Sequence, residues 1–184
     1  MRLFTAINII PGEKLLNTVN LLASNLHHEK ILWVNSNKLH ITLKFLGEID
    51  SRKLPEIIDL HNKVIEKYST FNLNIEKTGV FGSSYNPKVI WFGVNPSESV
   101  ALLANELESS LDLLGFKSDG QNFVPHLTIG RIKSIQNKVL FHKIISNFKN
   151  EFFQEINVKK IILYESILKT KGAIHNVIKE FKLK

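Results

Sequence analysis

The sequence predicts an α+β fold: antiparallel sheets with helices packed on one side. Three observations lead there. Apolar residues alternate at period two in several short segments and recur at helical spacing in longer ones. Several strand candidates are joined by short hairpin-like links, "SSYNP" and "KTKG" among them. The chain also reads as two approximate halves. Each half has a helix, then a strand carrying His-x-Thr, then another helix, which is pseudo-symmetry and not a tandem repeat.

The elements follow in order. In residues 3–9, Leu3, Thr5, Ile7 and Ile9 alternate with Phe4, Ala6 and Asn8, as a strand requires. Pro11 suits a first helical turn, and Leu15, Leu16, Val19, Leu22, Ala23 and Leu26 carry a helix to about residue 28. "ILWVN" is a short strand, residues 35–38 a turn, and residues 39–46 a strand ending at Gly47. Residues 52–68 form a helix with Ile57, His61, Val64 and Ile65 on one face, His61 at the core edge. "FNLNIE" is a strand, followed by a glycine-containing loop with "SSYNP" and the strand "KVIWFGV". Pro96-Ser97 opens a helix with Val100, Leu103, Leu107, Leu111 and Leu114 in its stripe, and Gly115 closes it. Residues 123–129 form the second His-x-Thr strand and residues 137–148 a helix. Strands at 152–158, 160–168 and 173–181 complete the chain. Trp33, Trp91 and Phe45 are expected in the core.

Composition excludes several classes of function. The chain has no cysteine, so disulfides, thiolate catalysis and cysteine zinc sites are ruled out. No apolar run approaches the roughly 20 residues needed to span a bilayer. The start, "MRLFTAINII", offers no small-residue cleavage site, so a cytoplasmic protein is expected. The formal net charge of +7 favours a polyanionic partner. Only three arginines occur, Arg2, Arg52 and Arg131, and the last directly follows the second motif.

The sharpest signal is the repeated His-x-Thr. With seven histidines in 184 residues, and as many threonines, random placement yields about 0.3 such matches. Two occur, "KLHITLKFLG" and "VPHLTIGR". Strand alternation puts His40, Thr42 and Lys44 on one face and Leu39, Ile41, Leu43 and Phe45 on the other. His126 and Thr128 likewise oppose Leu127 and Ile129. Two imidazoles that titrate near neutrality can act as general acid and general base in one displacement. Threonine hydroxyls can donate to phosphate oxygens, and Arg131 can add a charged fork. Strict alternation would turn Arg131 to the apolar face, and a bulge at Gly130 would return it. No carboxylate cluster, His-x-His or P-loop is present, so neither a metal nor a cofactor is expected. Lys44 shares the His40 face, as a phosphate contact or an exposed lysine.

"LHITLKFLGE" and "PHLTIGR" resemble the two signature motifs of the 2H phosphoesterase superfamily. More narrowly, the chain is similar to the RNA 2′,3′-cyclic phosphodiesterases, also called 2′-5′ RNA ligases. "MRLFTAI", "VFG", "VIWFGV" and "LYES" appear in that family's usual order. One departure is His175, where the family often has an aromatic, commonly Tyr. The resemblance implies a single bilobal domain over residues 1–184, with a pseudo-twofold axis and two antiparallel sheets lining a central cleft. It implies hydrolysis of RNA or nucleotide 2′,3′-cyclic phosphates to 2′-phosphomonoesters without metal. His40 is then the proton donor, His126 the proton acceptor, and Thr42 and Thr128 phosphate ligands. A monomer is expected, and the family also joins some RNA ends through 2′-5′ linkages. Two other readings stay open: a non-catalytic nucleotide or RNA-end binding module, and a phosphodiesterase for a small cyclic phosphate such as ADP-ribose 1″,2″-cyclic phosphate.

Overall fold

The computed structural model describes residues 1–117, 123–169 and 172–184. Its strands are β1 (Arg2–Asn8), β2 (Lys30–Trp33), β3 (His40–Glu48), β4 (Phe71–Gly82), β5 (Pro87–Asn95), β6 (His126–Ser134), β7 (Phe152–Val158), β8 (Lys160–Lys169) and β9 (Gly172–Lys182). The helices are α1 (Glu13–Asn25), α2 (Leu54–Ile65), α3 (Glu98–Asp112) and α4 (Lys138–Ser146). The strands form two sheets, ordered β3-β1-β8-β9 and β2-β6-β5-β4-β7. Every pairing is antiparallel. The "KTKG" link of the β8–β9 hairpin lies partly outside the described residues, at 170 and 171.

The two sheets share a pattern that accounts for the half-repeat. The order β3-β1-β8-β9 matches β6-β5-β4-β7, with β2 added outside β6. Within each half a β-α-β-α run recurs, β1-α1-β3-α2 and β5-α3-β6-α4, interrupted in the first by β2. The first helix of each run packs on the opposite lobe: α1 against β7 and α4, α3 against β3 and α2. The lobes are therefore interlocked. Gln154 of β7 pins one crossing, accepting from the Gly12 backbone N–H at 2.7 Å and donating to the Ile10 carbonyl at 2.9 Å.

The helix-facing sides of both sheets enclose one apolar core. On α3, Val100, Leu103, Leu107 and Leu111 are fully buried, each contributing about 1.5–3 kcal/mol of transfer free energy. The central strands β1 and β8 are buried on both faces, because Phe4, Ala6, Ile162 and Tyr164 form a second cluster on the other side of the four-stranded sheet.

Bulges on three strands alter the predicted pattern. Lys77 adopts a φ of 60° where β4 slips against β5, and β4 then continues to Gly82. The predicted glycine loop is thus largely strand. Gly79 is required there, since a Cβ would sit 2.1 Å from the Trp91 ring. Trp33 is half-buried and packs against the core, as expected, whereas Trp91 is half-buried outside the core cluster. In β3, register slips against β1 leave Leu43 and Leu46 unpaired, so Phe45 joins Lys44 off the core face. Phe45 is 61% exposed, correcting its expected core position. In β6, the pairs Trp91–Thr128 and Ile90–Gly130 leave Ile129 extra, and Arg131 emerges exposed.

His61 lies deeper than its predicted edge position. It is fully buried, with Nδ1 donating to the Ile57 carbonyl at 2.7 Å and Nε2 accepting from Thr5 Oγ1 at 2.8 Å. Burial disfavours the charged ring and pushes its pKa down to about 4. The folded value lies below the unfolded 6.5, so this contribution to stability is complete above pH 6.5 and is lost as pH falls toward 4. The loss is on the order of 3 kcal/mol. Urea unfolding at pH 7 and pH 4.5 should show a smaller stability loss in the double variant Thr5→Val, His61→Leu than in the wild type. Equal losses would place the acid sensitivity elsewhere.

Candidate active site

The two motif strands meet across the cleft. β3 is the edge of its sheet, and β6 packs against it from the other. His40 Nδ1 donates to the Lys38 carbonyl at 2.7 Å, and His126 Nδ1 donates to the Val124 carbonyl at 2.7 Å. In both cases the partner lies two residues earlier, so the pseudo-symmetry extends to the side-chain contact. A carbonyl can only accept, so each Nδ1 carries a hydrogen and each Nε2 holds the lone pair of the neutral ring. Each Nε2 is thereby left to take up or release a proton.

The electrostatics of the two rings are also alike. Burial holds both imidazoles below the usual histidine range, against the opposing pull of their carbonyl partners. The Arg131 cation adds to the lowering at both, and the charge on His126 adds to it at His40. Both rings therefore lie within electrostatic reach of Arg131. Thr42 and Thr128 are half-buried and share their faces with His40 and His126. Aromatic rings back both histidines: Phe4 lies 5.1 Å from His40, and Phe81 meets His126 edge-on at 4.8 Å.

A third histidine stands in the cleft. The His175 ring on β9 is 5.3 Å from His40 and 4.9 Å from Phe4. Three strand spacings separate β3 from β9, about 14 Å in a flat sheet. The four-stranded sheet is therefore curled, concave toward the cleft. Lys38 bridges its edges, with Nζ donating to the Ala173 carbonyl at 2.9 Å. Burial first, then the charges on His40 and Lys38, push the His175 pKa down to about 4. In the sequence His175 has no partner pattern, because only the curl brings it to His40.

The structure also revises Lys44, which is neither a free lysine nor an open phosphate contact. Its Nζ lies 2.5 Å from Glu108 Oε1 of α3, with the two side chains 10% and 25% exposed. Next to this pair a cavity of about 500 Å³ extends from Thr42 and His126 past Phe45, Phe81 and Phe123. Nothing in the α3 stripe singles out Glu108. Among the described residues no group of three or more His, Asp or Glu is arranged to hold a metal ion. No helix among them is long and apolar enough to cross a membrane.

Two interlocked lobes, each presenting one His-x-Thr strand to a shared cleft, are the arrangement of a 2H phosphoesterase. Comparisons with known proteins agree. The family described as LigT-like phosphoesterases matches in two segments, residues 10–91 and 93–175, each containing one motif. An RNA 2′,3′-cyclic phosphodiesterase of Methanocaldococcus jannaschii is 37% identical over 98% of this chain and 100% of its own. That of Archaeoglobus fulgidus is 35% identical over 81% of this chain and 82% of its own. The crystal structure of E. coli LigT complexed with 3′-AMP superposes with a TM-score of 0.80 at 26% identity, covering 99% of this chain and 97% of that one. The chain belongs to the LigT-like phosphoesterase family.

The shared influence of Arg131 can be measured directly. Arg131→Gln removes a cation, so the pKa values of both His40 and His126 should rise toward 6.5 in side-chain NMR titrations. An unchanged midpoint at either ring would show that the guanidinium does not act on it.

Proposed function

We infer that this protein is an RNA 2′,3′-cyclic phosphodiesterase that opens the cyclic phosphate to a 2′-phosphomonoester. The observation that carries this reading is the matched pair of imidazoles, each fixed with Nδ1–H on a carbonyl and with Nε2 unbonded among the described residues. The names of the curated relatives support it. Water attacks phosphorus and the P–O3′ bond breaks. His126 Nε2 accepts the proton of the attacking water, and protonated His40 Nε2 donates to the departing O3′. Thr42 and Thr128 donate to the non-bridging oxygens, and Arg131 balances the charge that develops on them. The product keeps the 2′-phosphate and gains a 3′-hydroxyl. Solvent then returns the proton to His40 and removes it from His126. A bound phosphodiester carries one negative charge, which favours the imidazolium form of His40 against the lowering due to burial and Arg131.

The fold of the cleft suits a single chain acting on one RNA end, and the excess of lysine adds phosphate attraction beyond the reacting group. The reading places the protein in the cytoplasm as a monomer.

Purified protein should hydrolyse nucleoside 2′,3′-cyclic phosphates at an undiminished rate in EDTA. His40→Ala and His126→Ala should each lose about 10²–10⁴-fold in kcat. Full activity in either variant would sink the mechanism. Tight nucleotide binding without any turnover would leave a binding module instead. Turnover of ADP-ribose 1″,2″-cyclic phosphate with no activity on oligonucleotide ends would move the substrate away from RNA.

The pH dependence of kcat/KM has a definite sign. The acid limb follows protonation of His126 and the basic limb deprotonation of His40. Both pKa values are lowered in the free enzyme, so the bell should centre below pH 6.5. A profile flat from pH 5 to 9 would exclude paired histidines.

A further inference from the structure

The cavity beside His126 contains groups that the phosphate chemistry does not use. Its walls include Phe45, Phe81 and Phe123. Phe45 is a large apolar side chain brought out of the core by a bulge, and it stays 61% exposed. Between these rings and α3 lies the Lys44–Glu108 pair, largely shielded from solvent. Among the described residues neither partner is saturated. Glu108 Oε1 bonds to Lys44, leaving Oε2 and further lone pairs free, and the ammonium retains two N–H groups. A donor and an acceptor side by side, at the edge of an aromatic slot, match the hydrogen-bonding edge of a planar base.

The four bases fit this edge unequally. Adenine, cytosine and uracil can each direct one N–H to the carboxylate and one acceptor to the ammonium. Guanine directs two parallel N–H groups, N1–H and N2–H, to the carboxylate and its O6 to the ammonium. It makes three bonds where the others make two, and the carboxylate contact becomes bidentate. We propose that this cavity seats the nucleobase adjoining the cyclic phosphate, that Phe45 stacks on it, and that Glu108 with Lys44 selects guanine. The proposal rests on the cyclic phosphodiesterase reading and adds the identity of the preferred base.

Two measurements on the full chain separate the two ideas. The first is kcat/KM for the four nucleoside 2′,3′-cyclic phosphates. The second is calorimetric binding of the four nucleoside 2′-monophosphates, which reads the base without turnover. Wild-type protein should favour guanosine by about tenfold or more in both. Glu108→Gln keeps the side-chain shape and a contact to Lys44 but offers one acceptor oxygen, so the four values should converge. Phe45→Ala should weaken all four alike, by about tenfold. Equal values for the four bases in wild-type protein would overturn the proposal and leave the phosphodiesterase reading intact. A uniform loss in Glu108→Gln with the base ratios preserved would also overturn it, reducing the pair to a tie between β3 and α3. Guanosine-selective binding without hydrolysis of any cyclic phosphate would uphold base selection and reject the catalytic reading.

Discussion

The interlocking of the two lobes is the constraint on which the site depends. β1 and β3 are neighbours in one sheet, yet α1 between them packs on the other. β5 and β6 are neighbours likewise, with α3 sent the opposite way. Each lobe thus completes its core with a helix that leaves from the other. The lobes cannot separate without exposing apolar helix faces such as that of α3, whose buried stripe lies behind β3. The cleft between β3 and β6 is held at the width the packed helices allow, and the proposed acid–base pairing of His40 and His126 rests on that width.

Within this frame, small departures from regular pairing decide which side chains face the cleft. An extra residue in a β-strand reverses the phase of everything beyond it. In β6 the bulge at Ile129 keeps Leu127 and Ile129 in the core while sending Arg131 to the side of Thr128 and His126. In β3 the slips deliver Phe45 outward beside Lys44. In β4 the slip at Lys77 extends the strand and brings Phe81 against His126. Arg131, Phe45 and Phe81 thus reach the cleft by the same device on three strands, while the two imidazoles face it by plain alternation.

The site balances opposing demands on its histidines. Burial and the nearby guanidinium favour neutral rings, which suits a base. The proton-donor role proposed for His40 needs the charged form, which an anionic substrate would restore. The carbonyl at each Nδ1 opposes the lowering and holds the tautomer, so orientation and protonation are governed by one contact. His175 stays neutral beside His40 at ordinary pH and contributes a polar wall without a competing charge.

Much of this protein can be read from its sequence, because the relevant signals are local. Period-two alternation around His40 and around His126 shows that histidine and threonine share a face, and the helical stripe from Val100 to Leu111 is unmistakable. Doubling of His-x-Thr within a half-repeat points to one composite site, and Gly130 hints at the bulge beside Arg131. Other features have no local signature. Phe45 continues the apolar alternation of its strand, and only the pairing register with β1 turns it outward. Glu108 is one carboxylate on an ordinary amphipathic helix until α3 crosses to lie over Lys44. His175 is unremarked until the sheet curls enough to bring opposite edges together. Sequence by itself determined the elements, the family and the paired motif, since these depend on periodicity and residue chemistry. Tertiary structure alone decided the cleft's third histidine and its shielded ion pair, since those contacts join strands and helices far apart along the chain.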